Sequence, residues 1–312
     1  TLQVQVADGK LVTSQEKIME GWGHVDGQPW GEGVLIWDLK DPENPELLSH
    51  WKTGGDGTHR NYYDGGRYIY ATGLPEGYQG NILQILDIED PRNPVEVGRW
   101  WMEGQKGDRA YLPYSSGGFV VLDISDKTNP TMISDLPFCP PFQTFIAVHT
   151  AVPLQGRDVV IVNSEAIREN CEEPLGYAGI VDVADEENPR LMSLFPLPVP
   201  PEDAPYRTFC ERGGRFGPHN QHQPQYQDIL YQGEDLCFLT YFNAGLRIYD
   251  ISEATQPREV GYFMPPDPTE RLGLLPASKL VAQTEDVIVD ARGNIFVSDK
   301  NLGIYALRYD GL

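Results

Sequence analysis

A short β-branched run closed by aspartate recurs along this sequence, at 33–38, 81–87, 118–123, 178–182 and 245–250, ending at Asp38, Asp87, Asp123, Asp182 and Asp250. A sixth copy at 303–308 has lost the aspartate. Behind five of the copies comes a turn that closes on proline, at 41–45, 90–94, 126–130, 185–189 and 253–257, and then a second apolar stretch. Proline presets φ and cannot donate to a ladder, while Asp bonds its own backbone two residues on, so each cluster ends one strand and starts the next. Ahead of the copies, a further strand is introduced by glycine at 8–13, 65–70, 107–112, 156–161, 233–238 and 292–297.

The repeating unit is therefore an inner strand, a glycine turn, a second strand, a loop, an Asp-ended third strand, a proline turn and an outer strand. Four antiparallel strands taken six times predict an all-β chain, a single β-propeller domain over 1–312 with six blades, or seven if an unmarked unit is hidden in the longer loops. The strands of residues 1–13 are expected to join the blade that carries Val34 to Asp38. A composition of 40% apolar residues with 32 Gly and 26 Pro suits short strands joined by tight turns. The Asp positions stand 49, 36, 59 and 68 residues apart, so loops have been inserted. Those at about 136–150, 164–178, 196–220 and 263–285 are candidates for function. Between Trp101 and Gly107 there is too little chain for a strand exit and a normal inner strand, so this blade is degenerate or residues are missing there.

The wording of the third strand resembles the LVIVD-repeat family, a bacterial and archaeal group thought to form β-propellers, and the resemblance spans nearly the whole chain. It implies the fold and leaves the function open, because propellers host binding, scaffolding and catalysis alike.

With 24 basic against 46 acidic residues the formal charge is −22, which repels phosphate backbones and anionic headgroups. Nucleic-acid partners and membrane insertion are not expected; a small-molecule substrate is. No run of 18 apolar residues exists and no signal-peptide pattern precedes Thr1, although a mature form could have lost one. Four cysteines pair in three ways or not at all. Cys171 and Cys210 both lie in polar loops and form a candidate disulfide, while Cys237 sits in an apolar run and reads as core. A cytoplasmic setting is placed ahead of a secreted or periplasmic one.

His59, His149, and the pair His219 and His222 each lie in the stretch before the glycine turn of their blade, the strand expected to line the central channel. The corresponding stretch of the last blade holds Glu285. Neutral imidazoles with a carboxylate suit a divalent transition metal, and an incomplete set of protein ligands leaves positions open. His59, His149, His219 and Glu285 are the expected metal ligands. Because positions 219 and 222 face opposite sides of a strand, one histidine is expected to ligate and His222 to serve catalysis beside it. Glu165, at the end of a second strand, is the expected general base or partner of a ligand. Arg207 and Arg215, in the one positively biased loop, are expected to hold a substrate carboxylate. His24, in a Gly-rich loop, is a weak candidate. The repeated aspartates are too periodic to be catalytic and should bond the turn that follows them.

The expectation is thus a metal-dependent enzyme acting on a small organic substrate, aromatic or carboxylated. Fe(II) with oxygenase-type chemistry is placed ahead of Zn(II), after a likeness in architecture to propeller metalloenzymes such as the carotenoid-cleavage oxygenases. A zinc lyase or hydrolase, or a non-catalytic binding or scaffold propeller, are the alternatives.

Overall fold

A computed structural model turns every one of the six runs into a strand of an antiparallel sheet, the third strand in four of them and the middle strand of a three-stranded sheet in the other two. It describes residues 4–17, 27, 30–76, 81–99, 109–115, 117–126, 128–138, 145–154, 156–225 and 227–311. His24, Cys139 and the short stretch before Gly107 lie outside these residues.

The chain divides into two compact units, residues 1–110 with 122–131 and residues 111–121 with 132–312. In the first unit, β1 (Val4–Ala7), β2 (Lys10–Gln15), β3 (Gly33–Asp38) and β4 (Glu46–Trp51) pair in chain order, as do β5 (Gly55–Tyr62), β6 (Tyr68–Pro75), β7 (Ile82–Asp87) and β8 (Val95–Arg99). The N-terminal strands thus join the Val34 sheet as expected. A three-stranded sheet of β9 (Arg109–Pro113), β10 (Phe119–Asp123) and β11 (Thr131–Leu136) draws on both residue ranges. The second unit holds three sheets. They are β12 (Ile146–Pro153), β13 (Val159–Glu165), β14 (Ala178–Asp182) and β15 (Arg190–Leu194); then β16 (Leu236–Thr240), β17 (Leu246–Asp250) and β18 (Arg258–Phe263); then β19 (Thr284–Val289), β20 (Asn294–Asp299) and β21 (Gly303–Arg308). One short helix, α1 (Phe209–Arg212), interrupts the strands. Four strands per sheet holds for three of the six sheets among the described residues. Ahead of β16 the first position is taken by an irregular segment: the His219 and His222 amides donate to Thr240 and Phe238 oxygens, and the Thr240 amide donates to Asn220 oxygen, each at 2.9 Å. Pro218 and Pro224 bracket it and keep it from becoming a regular strand.

The five Asp-ended strands are mostly apolar because both of their faces are covered, whereas β21 lies largely exposed. Val34 and Ile36 pack with Val12, Ile69 and Leu86 in the first unit. In the second, Phe238, Leu246 and Ile248 pack with Val287, Val289, Ile295 and Val297. Each such side chain contributes roughly 1.5–3 kcal/mol on burial. The five terminal aspartates do what their periodicity required: Asp38, Asp87, Asp123, Asp182 and Asp250 each accept, through Oδ1, the amide two residues on, at 2.7–3.0 Å. In the turn beyond, Asp41, Asp90 and Asp185 repeat the same bond and take the Asn44, Asn93 and Asn188 side chains on the other oxygen.

Candidate metal centre

The candidate residues share a local irregularity that the sequence did not announce. Thr58 pairs with Gly73 and Arg60 with Thr72, so His59 is the extra residue of a bulge. The register against the second strand also slips between Ile146 and Thr150, where His149 lies, by two residues, and between Thr284 and Asp286, where Glu285 lies, by one. A bulge re-aims a side chain out of the pleat, and here it does so at one position of several repeats.

In the second unit this brings His149, His219 and Glu165 together, with one ligating atom of each within 4.8 Å of the others. His149 Nε2 stands 3.4 Å from Glu165 Oε2 and His219 Nε2 stands 3.6 Å from Glu165 Oε1. The far side of each ring is held by protein. His219 Nδ1 lies 2.8 Å from the carbonyl oxygen of Glu285, an acceptor only, so this nitrogen carries a proton. His149 Nδ1 meets Thr150 Oγ1 at 2.8 Å, and that hydroxyl donates to His219 oxygen at 3.1 Å. The two imidazoles stack at 4.8 Å, and the Phe242 ring covers the other face of His219 at 4.7 Å.

Arg215, buried to 2% exposure, sets the charge of the site. Its Nη1 donates to Glu165 Oε1 at 3.1 Å and to Ala166 oxygen, its Nη2 reaches Glu285 Oε1 at 3.2 Å, and its guanidinium lies 3.9 Å above the Phe242 ring. Lys300 Nζ adds a second cation on Glu285 Oε1 at 3.0 Å. Glu285 therefore faces Arg215, Lys300 and, at 3.7 Å from Oε2, His219 Nδ1, the nitrogen turned away from Glu165.

Of the remaining expected residues, His222 and Arg207 make other contacts. His222 is buried with both nitrogens engaged: Nε2 donates to Tyr231 oxygen at 2.9 Å and Nδ1 accepts the Val289 amide at 3.1 Å. Burial pushes its imidazole down to about 4, so it is neutral. His219 lies in the cluster, whereas His222, expected to serve catalysis beside it, keeps both nitrogens on backbone groups. Arg207 projects from the start of α1 and pairs with Glu211 at 2.8 Å. His59 belongs to the first unit, where both oxygens of Glu16 stand 2.9 Å from its Nδ1. Phe242, Lys300 and Thr150 were missed. Lys300 follows the end of β20 much as Glu165 ends β13, and that shared position was the available signal.

Cys171 and Cys210 form a disulfide, and the free Cys237 is buried, as its apolar run implied. Among the described residues no helix is long and apolar enough to cross a membrane.

No curated protein matches this chain. Solved structures do. A periplasmic gluconolactonase from Pseudomonas aeruginosa aligns with a TM-score of 0.60 at 11% identity, over 98% of this chain and 84% of that one. A protein from Lactobacillus plantarum gives 0.61 at 10% identity over 97% and 79%. A hypothetical selenium-binding protein from Sulfolobus tokodaii gives 0.56 at 13% over 85% and 64%. At such identities the likeness is one of fold alone. The repeat itself is specific: the LVIVD repeat model matches residues 77–101, 106–136 and 234–264, so the chain carries LVIVD repeats.

Proposed function

We propose that the chain is a metal-dependent hydrolase of small organic esters or lactones, with the ion held by His149, Glu165 and His219. One observation carries this reading. The nitrogen-to-oxygen separations of 3.4 and 3.6 Å are too long for good hydrogen bonds. They run from the two imidazoles to different oxygens of one carboxylate, and a donor atom of each residue lies within 4.8 Å of the others, so a small closing-in reaches the spacing of about 3.3–3.4 Å that two ligands keep when each lies about 2.0–2.1 Å from a tetrahedral zinc. Two imidazoles and one carboxylate, each imidazole giving its other N–H to an oxygen, are also the donor set and supporting shell that such ions take.

A divalent ion there supplies Lewis acidity, polarising a carbonyl and making water a better nucleophile. The protein does the rest. Arg215 holds Glu165 ionised and oriented, and being buried between two carboxylates it serves Glu165 better than it would serve a substrate carboxylate. Glu285 is the more open carboxylate, and with Arg215 and Lys300 on its Oε1 it balances the cations beside His219. The gluconolactonase likeness favours a lactone among possible substrates, whereas the iron-dependent oxygenation expected from the sequence gains no support from any comparison. Two further readings belong here: the six strand repeats support the β-propeller class, and the Cys171–Cys210 disulfide suits an oxidising compartment rather than a reducing cytoplasm.

Elemental analysis of the purified chain with a lactone panel followed by proton release tests the reading. Zinc at one per chain, with hydrolysis lost in Glu165→Gln, is the expected result. Metal-free protein of normal stability, or iron with oxygen uptake, would overturn it.

A further inference from the structure

Three long loops lead into the centre: 164–178 begins beside Glu165, 196–220 carries Arg215 and His219, and 263–285 ends on Glu285. They meet at Arg215 and again at Glu169. Its Oε1 accepts the Ala277 amide at 2.5 Å, and its Oε2 accepts the Ser278 amide at 2.8 Å and the Ser278 hydroxyl. Its backbone forms an isolated antiparallel bridge with Arg215, and the neighbouring Asn170 amide donates to Gly214 oxygen at 2.8 Å. Burial pushes the Glu169 carboxyl up, but the hydrogen bonds from Ser278 and Ala277 outweigh it and hold the group below its ordinary value.

The same turn is under backbone strain. Asn170 and Cys171 have φ of 56° and 57°, the left-handed region that side chains other than glycine rarely adopt in succession. Such a turn persists only where its surroundings impose it. The disulfide from Cys171 to Cys210, 39 residues away, is the covalent part of that restraint.

We propose that Glu169, fixed by the Cys171–Cys210 disulfide, is a positioning residue that holds Glu165 and Arg215 in register, and that opening the disulfide weakens the metal centre. The reading of His149, Glu165 and His219 as metal donors underlies it. The opening step is thiol exchange with a dithiol: one of its thiolates attacks a disulfide sulfur, its second thiol closes a new disulfide, and Cys171 and Cys210 leave as two thiols, two electrons and two protons having passed to the protein.

The test titrates zinc alone, against a chromophoric chelator, into the full chain, Glu169→Ala, Glu169→Gln and Cys171→Ser/Cys210→Ser, with amide exchange measured on each. Serines replace reduced cysteines so that no thiol competes for zinc. Glu169→Ala and the double serine variant should weaken zinc by about 10–100-fold, the range for residues that orient metal ligands. Glu169→Gln, which keeps an acceptor for Ala277, should fall between. Exchange should speed at Asn170, Ala277, Ser278 and Asn243, whose amide donates to Arg215 oxygen at 3.1 Å, and not in β12 to β14. Unchanged zinc affinity, or exchange that speeds equally through the sheets, overturns the proposal. A wild-type chain that takes no zinc sinks the metal reading instead. The Asn243 amide then decides, and unaltered exchange there in both variants refutes the positioning role.

Discussion

His59 and His149 sit at the same bulge of two repeats, yet their surroundings differ. The His59 side chain is 39% exposed and meets one carboxylate, Glu16, on its Nδ1. The His149 side chain is 10% exposed, its Nδ1 is taken by a threonine that bonds a backbone oxygen, and its Nε2 faces a carboxylate already neutralised by a buried arginine. The repeat supplies a position, and the long loops of the second unit supply the buried charge around it. Arginines make the same point. Arg67 in the first unit pairs with Asp87 at the surface, whereas Arg215 in the second is sealed between Glu165 and Glu285.

That contrast is broken most directly at the arginines. Removing one partner of a buried ion network leaves uncompensated charge and costs about 3–5 kcal/mol, while exposed pairs contribute little. Arg215→Met should lower the urea-derived stability by that amount and Arg67→Met should leave it within error. Equal losses in the two variants would show that the burial of Arg215 has no energetic meaning.

Next in size is zinc affinity. His149→Ala and His219→Ala should each weaken it about 100–1000-fold, or about 3–4 kcal/mol, as read by chelator competition. A loss below tenfold in both would remove them from the ligand set.

How much of this was legible follows from what a repeat records. The third strands, the turn aspartates and the matching places of His59, His149, His219 and Glu285 all recur at fixed offsets, so they could be read directly. Glu165 was found because it ends a second strand. The bulges leave no period, and neither do contacts that loops make across 50 or 70 residues, such as Arg215 with Glu165 and Glu285. Arg215 was therefore picked out for its charge while its role as partner of two carboxylates went unseen. His222 was taken for a catalytic group because nothing in Pro218 to Pro224 tells that the Val289 amide and the Tyr231 oxygen will take both of its nitrogens.

His222 sharpens the comparison through pH. Its folded value is held down at about 4 by burial, below the ordinary value near 6.5, so between these limits the unfolded chain binds the proton and the folded one does not. Stability is therefore full above about pH 6.5 and is lost as pH falls toward 4, by about 3 kcal/mol in all. The His222 ring resonances should keep their neutral-form positions down to about pH 5. A midpoint near 6.5 for that ring would mean that it is not sealed as described.

The smallest effect is expected at His59. Its side chain is more than a third exposed, and the pair it makes with Glu16 is of the surface kind that contributes about 0–1 kcal/mol. His59→Ala should then cost under about 1 kcal/mol in stability and change zinc affinity by no more than about twofold. Because His59 occupies the same bulge as His149, the substitution isolates what the surroundings add to a shared backbone position. If burial and a second-nitrogen partner are what make a histidine a ligand, His149→Ala and His59→Ala must differ by at least about 50-fold in zinc affinity, some 2.3 kcal/mol. A His59→Ala loss as large as that of His149→Ala would return His59 to the ligand set that the repeat alone predicts, and the shared bulge, rather than its surroundings, would then be what selects the metal residues.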